Sequence, residues 1–181
     1  MVSGSGQFIG NESLLRDRLY INTGEGSFVK SSQRIPSFKK NGSTVAVSDY
    51  DRDGDMDLFV GSRSVGNKYG LSPRSYLLEN DGNGFFKDVT KDVAPHLTRI
   101  GMITDAEWAD ITGSKYPELI IAGEWMSINI FENNNGRLSK EENLPTSNHR
   151  NGLWQSISVT DINSDGKLDI IAGNFGVNSR L

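Results

Sequence analysis

Two short motifs alternate along this chain, and each occurs three times. The first is a pair of apolar runs around an Asn/Gly turn: LYINTGEGSF at 19–28, YLLENDGNGFF at 76–86 and INIFENNNGRL at 128–138. Asn, Asp and Gly tolerate the positive φ that tight hairpin turns require, and the flanks carry strand-favouring aromatic and aliphatic residues. Each copy reads as a β-hairpin. The second motif is an alternating strand, an acidic loop and an apolar strand: TVAVSDYDRDGDMDLFVGS from Thr44, AEWADITGSKYPELIIAGE from Ala106 and ISVTDINSDGKLDIIAGN from Ile157. Its first Asp falls at 49, 110 and 161. A hairpin plus strand, loop and strand makes four strands per repeat, so three repeats carry about twelve short antiparallel strands.

Composition agrees with that content. Gly numbers 20 while hydrophobic residues make up only 35%, a balance that favours short strands and tight turns over amphipathic helices. The fold class is therefore all-β, with about three four-stranded antiparallel repeats, the content of three β-propeller blades. The repeats divide the chain approximately into 18–73, 74–126 and 127–181, after an N-terminal extension over 1–17. Helix is a minor possibility around 90–99 and 140–150, where neither a 3.6 nor a 2-residue period emerges. A ring of three blades would be tighter than the four to eight of this architecture, so the chain is expected to be a fragment of a larger propeller. Strand 168–173 would then present an open edge, able to pair with the N-terminal hairpin of a second chain and give a homodimer through open blade edges.

Several function classes are excluded by counting. Lys+Arg 19 against Asp+Glu 23 leaves a net charge of -4, with no basic surplus for a nucleic-acid backbone. Cysteine is absent, which removes disulfides, thiolate zinc sites and a cysteine nucleophile. No apolar run approaches the roughly 18–20 residues of a membrane span, and the first residues lack the charged and apolar regions of a secretory signal.

The acidic loops carry the chemistry. In DYDRDGDMD, side-chain oxygens recur at positions 1, 3, 5 and 9, supplied by Asp49, Asp51, Asp53 and Asp57. Alternate residues of a curled loop can point inward together, Gly54 at position 6 allows the bend, and the Asp55 carbonyl at position 7 can complete a cation shell. The third loop repeats this with Asp161, Asn163, Asp165, the Lys167 carbonyl and Asp169. All-oxygen shells suit Ca²⁺ better than zinc or copper, so two Ca²⁺ sites per chain are expected. These are not EF-hands, because position 12 holds Val60 and Ala172 where a bidentate Glu belongs. The second loop is degenerate. Asp110, Thr112 and Ser114 keep oxygens at 1, 3 and 5, but Lys115 replaces Gly at 6 and Glu118 replaces Asp at 9, which predicts a weak site or none.

With the apolar strand and Gly that follow them (DMDLFVG, KLDIIAG), these loops resemble the FG-GAP or VCBS repeat of integrin-α-like β-propellers. The hairpin RLYINTGEGSF is similar to the companion segment of bacterial propellers of that type, including those linked to ASPIC/UnbV modules. The resemblance spans most of the chain. It implies a bacterial protein exported to the cell surface or beyond, whose signal lies outside this sequence, with one calcium loop per blade and a role as a binding or adhesion scaffold. The calcium ligands it implies are the Asp and Asn positions named above.

Other residues have plainer readings. Trp108 stands two residues before Asp110, where Val47 precedes Asp49 and Val159 precedes Asp161, so it is expected to pack in the core. Trp154 has the same expectation, and Trp125 is the better candidate for a ligand contact. His96 and His149 are expected on the surface, and Asp105 and Glu107 on a solvated strand edge rather than as a catalytic pair. Phe38-Lys39-Lys40 is too short a basic cluster to argue a partner. No catalytic constellation is visible outside the loops, so the chain is read as a non-enzyme with an unknown protein or glycan ligand. The alternatives are the propeller part of a carbohydrate-active enzyme, a glycan lyase or hydrolase, and a purely structural repeat.

Overall fold

The structure, a computed structural model, describes residues 1, 12–31, 33–66, 68–140 and 151–176. Among the described residues there are twelve strands, and every pairing is antiparallel. β1 (Leu19–Asn22) and β2 (Phe28–Ser31) form a separate hairpin. β3 (Asn41–Ser48), β4 (Asp57–Ser64), β5 (Tyr76–Asn80) and β6 (Phe86–Asp88) make a four-stranded meander in sequence order. β7 (Met102–Ala109), β8 (Glu118–Met126), β9 (Asn129–Asn134) and β10 (Arg137–Lys140) make a second. β11 (Gly152–Thr160) and β12 (Asp169–Asn174) pair as the first two strands of a third.

The chain is all-β with propeller-like blades, and each complete sheet runs strand, acidic loop, strand, hairpin. Hydrogen bonding thus offsets the sheet by one hairpin from the repeat divided on the sequence. The strand after each acidic loop is central, taking the preceding strand on one side and the following hairpin on the other. One segment departs from this scheme. The end of β8 leaves β9 and pairs with β11, Met126 opposite Gly152 and Glu124 opposite Leu153, which joins the second sheet to the third.

Because the central strands are covered on both faces, β4 and β8 read as continuous apolar runs rather than alternating ones. Phe59 and Leu77 of the first sheet pack against Ile103, Leu119, Ile121 and Phe131 of the second. The opposite face of the second sheet, Ile120, Ala122 and Ile130, packs against Ile157, Ile170 and Ala172 of the third. The approach of the first two sheets is close enough that a Cβ on Gly61 would lie 2.8 Å from the side chains of Ile103 and Thr44. The sheets are therefore stacked face to face with no room for a larger residue at that point.

The segment 90–99 is helical, as a single α-turn, α1 (Thr90–Val93), and a 3-10 turn at Pro95–Arg99. It crosses from the first sheet to the second and buries Ala94 and Leu97 beneath it. Most of the other segment in which helix was entertained, 141–150, lies outside the described residues. Lys40, part of the short basic cluster, has a structural role. It is buried against Asp17 (3.2 Å) and lies 5.1 Å from the Tyr76 ring, and burial lowers its pKa although Asp17 opposes that.

Phe59 sits at the junction of the first two sheets with no exposed surface. Phe59→Ala is expected to lower stability by about 3–5 kcal/mol in a denaturant titration, through lost transfer energy and a cavity the stacked sheets cannot collapse.

Candidate metal centre

The three acidic loops share one backbone trace. Position 4 is left-handed in each, at Arg52 (φ 64), Gly113 (φ 77) and Ser164 (φ 63). So is position 6, at Gly54 (φ 102), Lys115 (φ 76) and Gly166 (φ 83). Position 1 accepts the backbone N–H of position 6 every time: Asp49 Oδ2 from Gly54 (3.2 Å), Asp110 Oδ2 from Lys115 (2.9 Å) and Asp161 Oδ2 from Gly166 (2.8 Å). Position 9 accepts the N–H of position 2: Asp57 from Tyr50 (3.4 Å), Glu118 from Ile111 (2.8 Å) and Asp169 from Ile162 (3.1 Å). Two carboxylates thus curl each loop around its own amides.

In the first loop the curl gathers acids. Oxygens of Asp49, Asp51 and Asp57 all lie within 4.8 Å of one another. Asp57 is 1% exposed and takes a second bond from the Asn80 N–H of β5 (2.8 Å), while Asp49 Oδ1 is buried without a hydrogen-bond partner. Burial pushes the Asp57 carboxyl up to about 7, and the nearby Asp51 and Asp55 push the same way against the bonds from Asn80 and Tyr50. Asp51 is also raised, first by burial. Asp53 stands at the exposed rim with its Oδ1 accepting the Asp55 N–H (3.1 Å). Asp55 leans toward the neighbouring hairpin turn, where a Cβ on Gly82 would lie 3.3 Å from its Oδ2, and its Oδ1 is buried without a partner. An all-oxygen group with orphaned buried lone pairs and upward-pushed carboxyls fits a hard divalent cation.

The other loops resolve their charge differently. In the second, Glu118 is buried and its longer arm reaches Thr112, accepting from the hydroxyl (2.8 Å) and the N–H (3.3 Å). Ser114 turns to the Tyr116 carbonyl (3.0 Å), and Asp110 Oδ1 is left buried without a partner. The missing glycine does not change the trace, since Lys115 itself adopts the left-handed conformation. In the third loop, among the described residues, Asp161, Asp165 and Asp169 form no group of three as close as that of the first. Asp161 is held low by backbone N–H groups, chiefly that of Gly166. Asn163 and Asp165 bond each other (3.2 Å), Asp165 Oδ1 accepts the Lys167 N–H (2.9 Å), and the Lys167 side chain is exposed. Among the described residues no hairpin flanks this loop as the turn at 81–84 flanks the first, and its residues are more exposed.

Trp108 is half-buried and stacks on Tyr50 at 6.0 Å between ring centroids, and Trp154 is half-buried against the core shared by the second and third sheets. Trp125 is 59% exposed, at the end of β8 far from the acidic loop, with φ 60. Its indole N–H donates to the Tyr69 hydroxyl (2.9 Å), which donates to Glu124 Oε2 (3.0 Å), and Arg63 pairs with the other oxygen of Glu124. Nothing in the repeat pattern singles out Tyr69 or Arg63, because both lie in or beside the variable segment after β4. His96 is exposed, and His149 lies outside the described residues. Asp105 and Glu107 are not a solvated edge. Asp105 Oδ2 accepts the Ile157 N–H (3.0 Å) and Glu107 Oε2 the Val159 N–H (3.0 Å), so the pair caps β11 across the sheet boundary. Their two-residue spacing, which matches alternate amides of a strand, was the available signal.

The sequence pattern described as the FG-GAP-like repeat matches residues 4–60 and 110–172, about two-thirds of the chain and all three acidic loops. No curated protein matches the chain.

Lys115→Gly removes a left-handed side chain that costs roughly 1–2 kcal/mol, and is expected to raise the melting temperature measurably. A folded carboxyl raised above its unfolded value binds the extra proton in the native state. Without divalent cations, stability is therefore expected to fall as pH rises from about 4, the unfolded aspartate value, to about 7. Asp57→Asn should flatten that slope in melts across the window.

Proposed function

The chain belongs to the FG-GAP-like repeat family, and on that premise we propose that it is a calcium-stabilised β-propeller segment serving as an extracellular binding or adhesion scaffold. The observation that carries this reading is the Asp49, Asp51 and Asp57 group with its orphaned Asp49 oxygen. Asp49, Asp51, Asp53 and Asp57 would hold the ion together with the Asp55 carbonyl, a six-to-eight-oxygen chemistry that suits Ca²⁺ better than the smaller, stricter Mg²⁺. When bound, Ca²⁺ supplies the positive charge that lets the clustered carboxylates ionise together. The chain's own part is to lock the end of β3 to the start of β4, since Asp49 follows the one strand and Asp57 opens the other. Asp161, Asn163, Asp165, the Lys167 carbonyl and Asp169 would form a second, weaker site, because among the described residues their acids are less buried and are not gathered as closely as those of the first loop.

The family repeat is a structural unit, which favours a scaffold over an enzyme. The integrin-like, ASPIC/UnbV-associated type and an exported bacterial origin extend the same reading. No helix among the described residues is long and apolar enough to cross a membrane. A ligand surface at Trp125 and Tyr69 is supported by their two exposed rings, which are fixed to each other at the end of the sheets away from the acidic loops. Such rings accept either a sugar face or a protein side chain.

Calorimetric titration of EDTA-stripped protein tests the core of this reading. Two sites are expected, with affinities on the order of 10⁻⁴ to 10⁻³ M as in extracellular modules, and a melting temperature that rises with calcium. Asp49→Asn should remove the tighter site and Asp161→Asn the weaker. Absence of binding in the unmodified protein would refute the calcium reading. A glycan array beside hydrolase and lyase screens separates the scaffold, which binds without turnover, from the carbohydrate-active alternative.

A further inference from the structure

Trp125 places a large side chain where the backbone favours glycine. The register between β8 and β11 passes from Glu124 opposite Leu153 to Met126 opposite Gly152, so Trp125 is the extra residue of a β-bulge, in the left-handed conformation. Among the described residues, the other non-glycine residues with positive φ are Arg52, Lys115, Asn135 and Ser164, which lie in acidic loops or a hairpin turn. Trp125 alone lies within a strand. A bulky residue held this way is strained, and such strain gathers at functional sites. The first sheet has a matching bulge. The β3–β4 register passes from Asn41 opposite Ser64 to Gly42 opposite Ser62, which leaves Arg63 as the extra residue. Arg63 and Trp125 each stand two residues after a strand glycine, Gly61 and Gly123, so the bulges aim a guanidinium and an indole outward from equivalent strand ends.

Hydrogen bonds then fix the group. Buried Glu124 takes Arg63 on one oxygen and the Tyr69 hydroxyl on the other, and Tyr69 accepts the indole N–H of Trp125. The indole N–H and the phenol O–H are thereby spent within the chain. What the two rings offer to solvent is their apolar faces, with Leu71 exposed two residues after Tyr69.

Charge adds a second requirement on the ligand. The segment 62–75 carries Arg63, Lys68 and Arg74 and no acid. Arg63 pairs with Glu124 and Arg74 with Asp88, whereas among the described residues the exposed Lys68 and Arg99 pair with no acid. Arg99 is tied to this segment through the Ser72 carbonyl (3.2 Å). Two residues further on, a Cβ on Gly101 would lie 2.5 Å from the sulfur of Met126, the neighbour of Trp125. The acidic loops lie at the other end of the strands, since Asp57 and Glu118 open the strands near whose ends Arg63 and Trp125 stand. A chain of net charge -4 thus carries a cationic, aromatic patch opposite its acids.

We infer that this patch binds an acidic saccharide in which carboxylated sugars alternate with neutral ones, a pyranose C–H face lying on Trp125 and a carboxylate against Lys68 and Arg99. The inference rests on the ligand surface proposed above and names what that surface takes. A uronic acid carries a flat C–H face and a carboxylate on one ring, so a single unit meets both the indole and the cations. An acidic peptide puts its charge and its apolar surface on different residues. A nucleic acid carries a phosphate at every unit, more charge than two unpaired cations offset.

Calorimetric titration with four probes tests this, with calcium in excess throughout so that the acidic loops stay in one state. The probes are a hexasaccharide alternating glucuronate with N-acetylglucosamine, the neutral hexamer of N-acetylglucosamine, hexaglutamate and hexathymidylate. The charged hexasaccharide is expected to bind about tenfold more tightly than each of the others, and less tightly as salt rises. Trp125→Gly should weaken that binding by about tenfold or more while the melting temperature holds or rises, because the strained side chain is gone. A merely structural tryptophan would give a lower melting temperature and unchanged binding. Lys68→Gln/Arg99→Gln should bring the charged hexasaccharide down to the affinity of the neutral one, with the far-ultraviolet dichroism unchanged. No binding of the charged hexasaccharide, or equal or tighter binding of another probe, would overturn the inference. If that other probe is lost in Trp125→Gly, the ligand surface stands and only its saccharide class falls, whereas binding indifferent to Trp125→Gly overturns both.

Discussion

The position-9 carboxylate holds the rest of the structure in place. Asp57 and Glu118 are each 1% exposed, and each opens the central strand of its sheet while bonding back to the amide seven residues earlier. A single side chain therefore closes the loop, aligns the two strands it joins and starts the strand with the most buried surface. The cost is a carboxylate taken out of water, and a buried charge is tolerated only when it is neutralised or fully hydrogen-bonded.

The three loops show three answers to that cost. The first concentrates further acids around Asp57, so the site depends on an outside cation or a bound proton. The second meets the charge with a neighbour, Thr112 donating to Glu118 through both its hydroxyl and its amide. The third leaves its acids open to solvent and spends backbone amides on Asp161 and Asp165. Degeneration of a repeat here means substitution of the charge-balancing partner while the trace is kept, down to a lysine in the left-handed conformation that glycine occupies elsewhere.

The strands, hairpins and acidic loops were legible in the sequence because each rests on local chemistry: alternation, turn residues and oxygen spacing. The grouping of strands into sheets was not, since a repeating unit can be cut at any phase and only hydrogen bonding shows that the hairpin joins the strand before it. Asp105 and Glu107 looked like solvated acids because their acceptors' partners, the amides of Ile157 and Val159, lie about fifty residues away. Tyr69 escaped notice for the opposite reason: it falls in a segment without periodicity, where only the fold brings it to Trp125.

The way β8 leaves β9 to pair with β11 has a mechanical meaning. The second and third sheets are stitched by main-chain bonds at Met126 and Glu124 and by the two acid caps on β11, so parting them requires breaking a ladder in shear. The first and second sheets share no main-chain ladder among the described residues and meet through packed side chains around Phe59, Ile103 and Leu119 and through side-chain bonds, Arg63 and Tyr69 to Glu124 and the Asn133 amide to the Tyr50 carbonyl. Tension applied along the chain would find its yielding seam between the first two sheets, and the second and third would travel together as one stiff body.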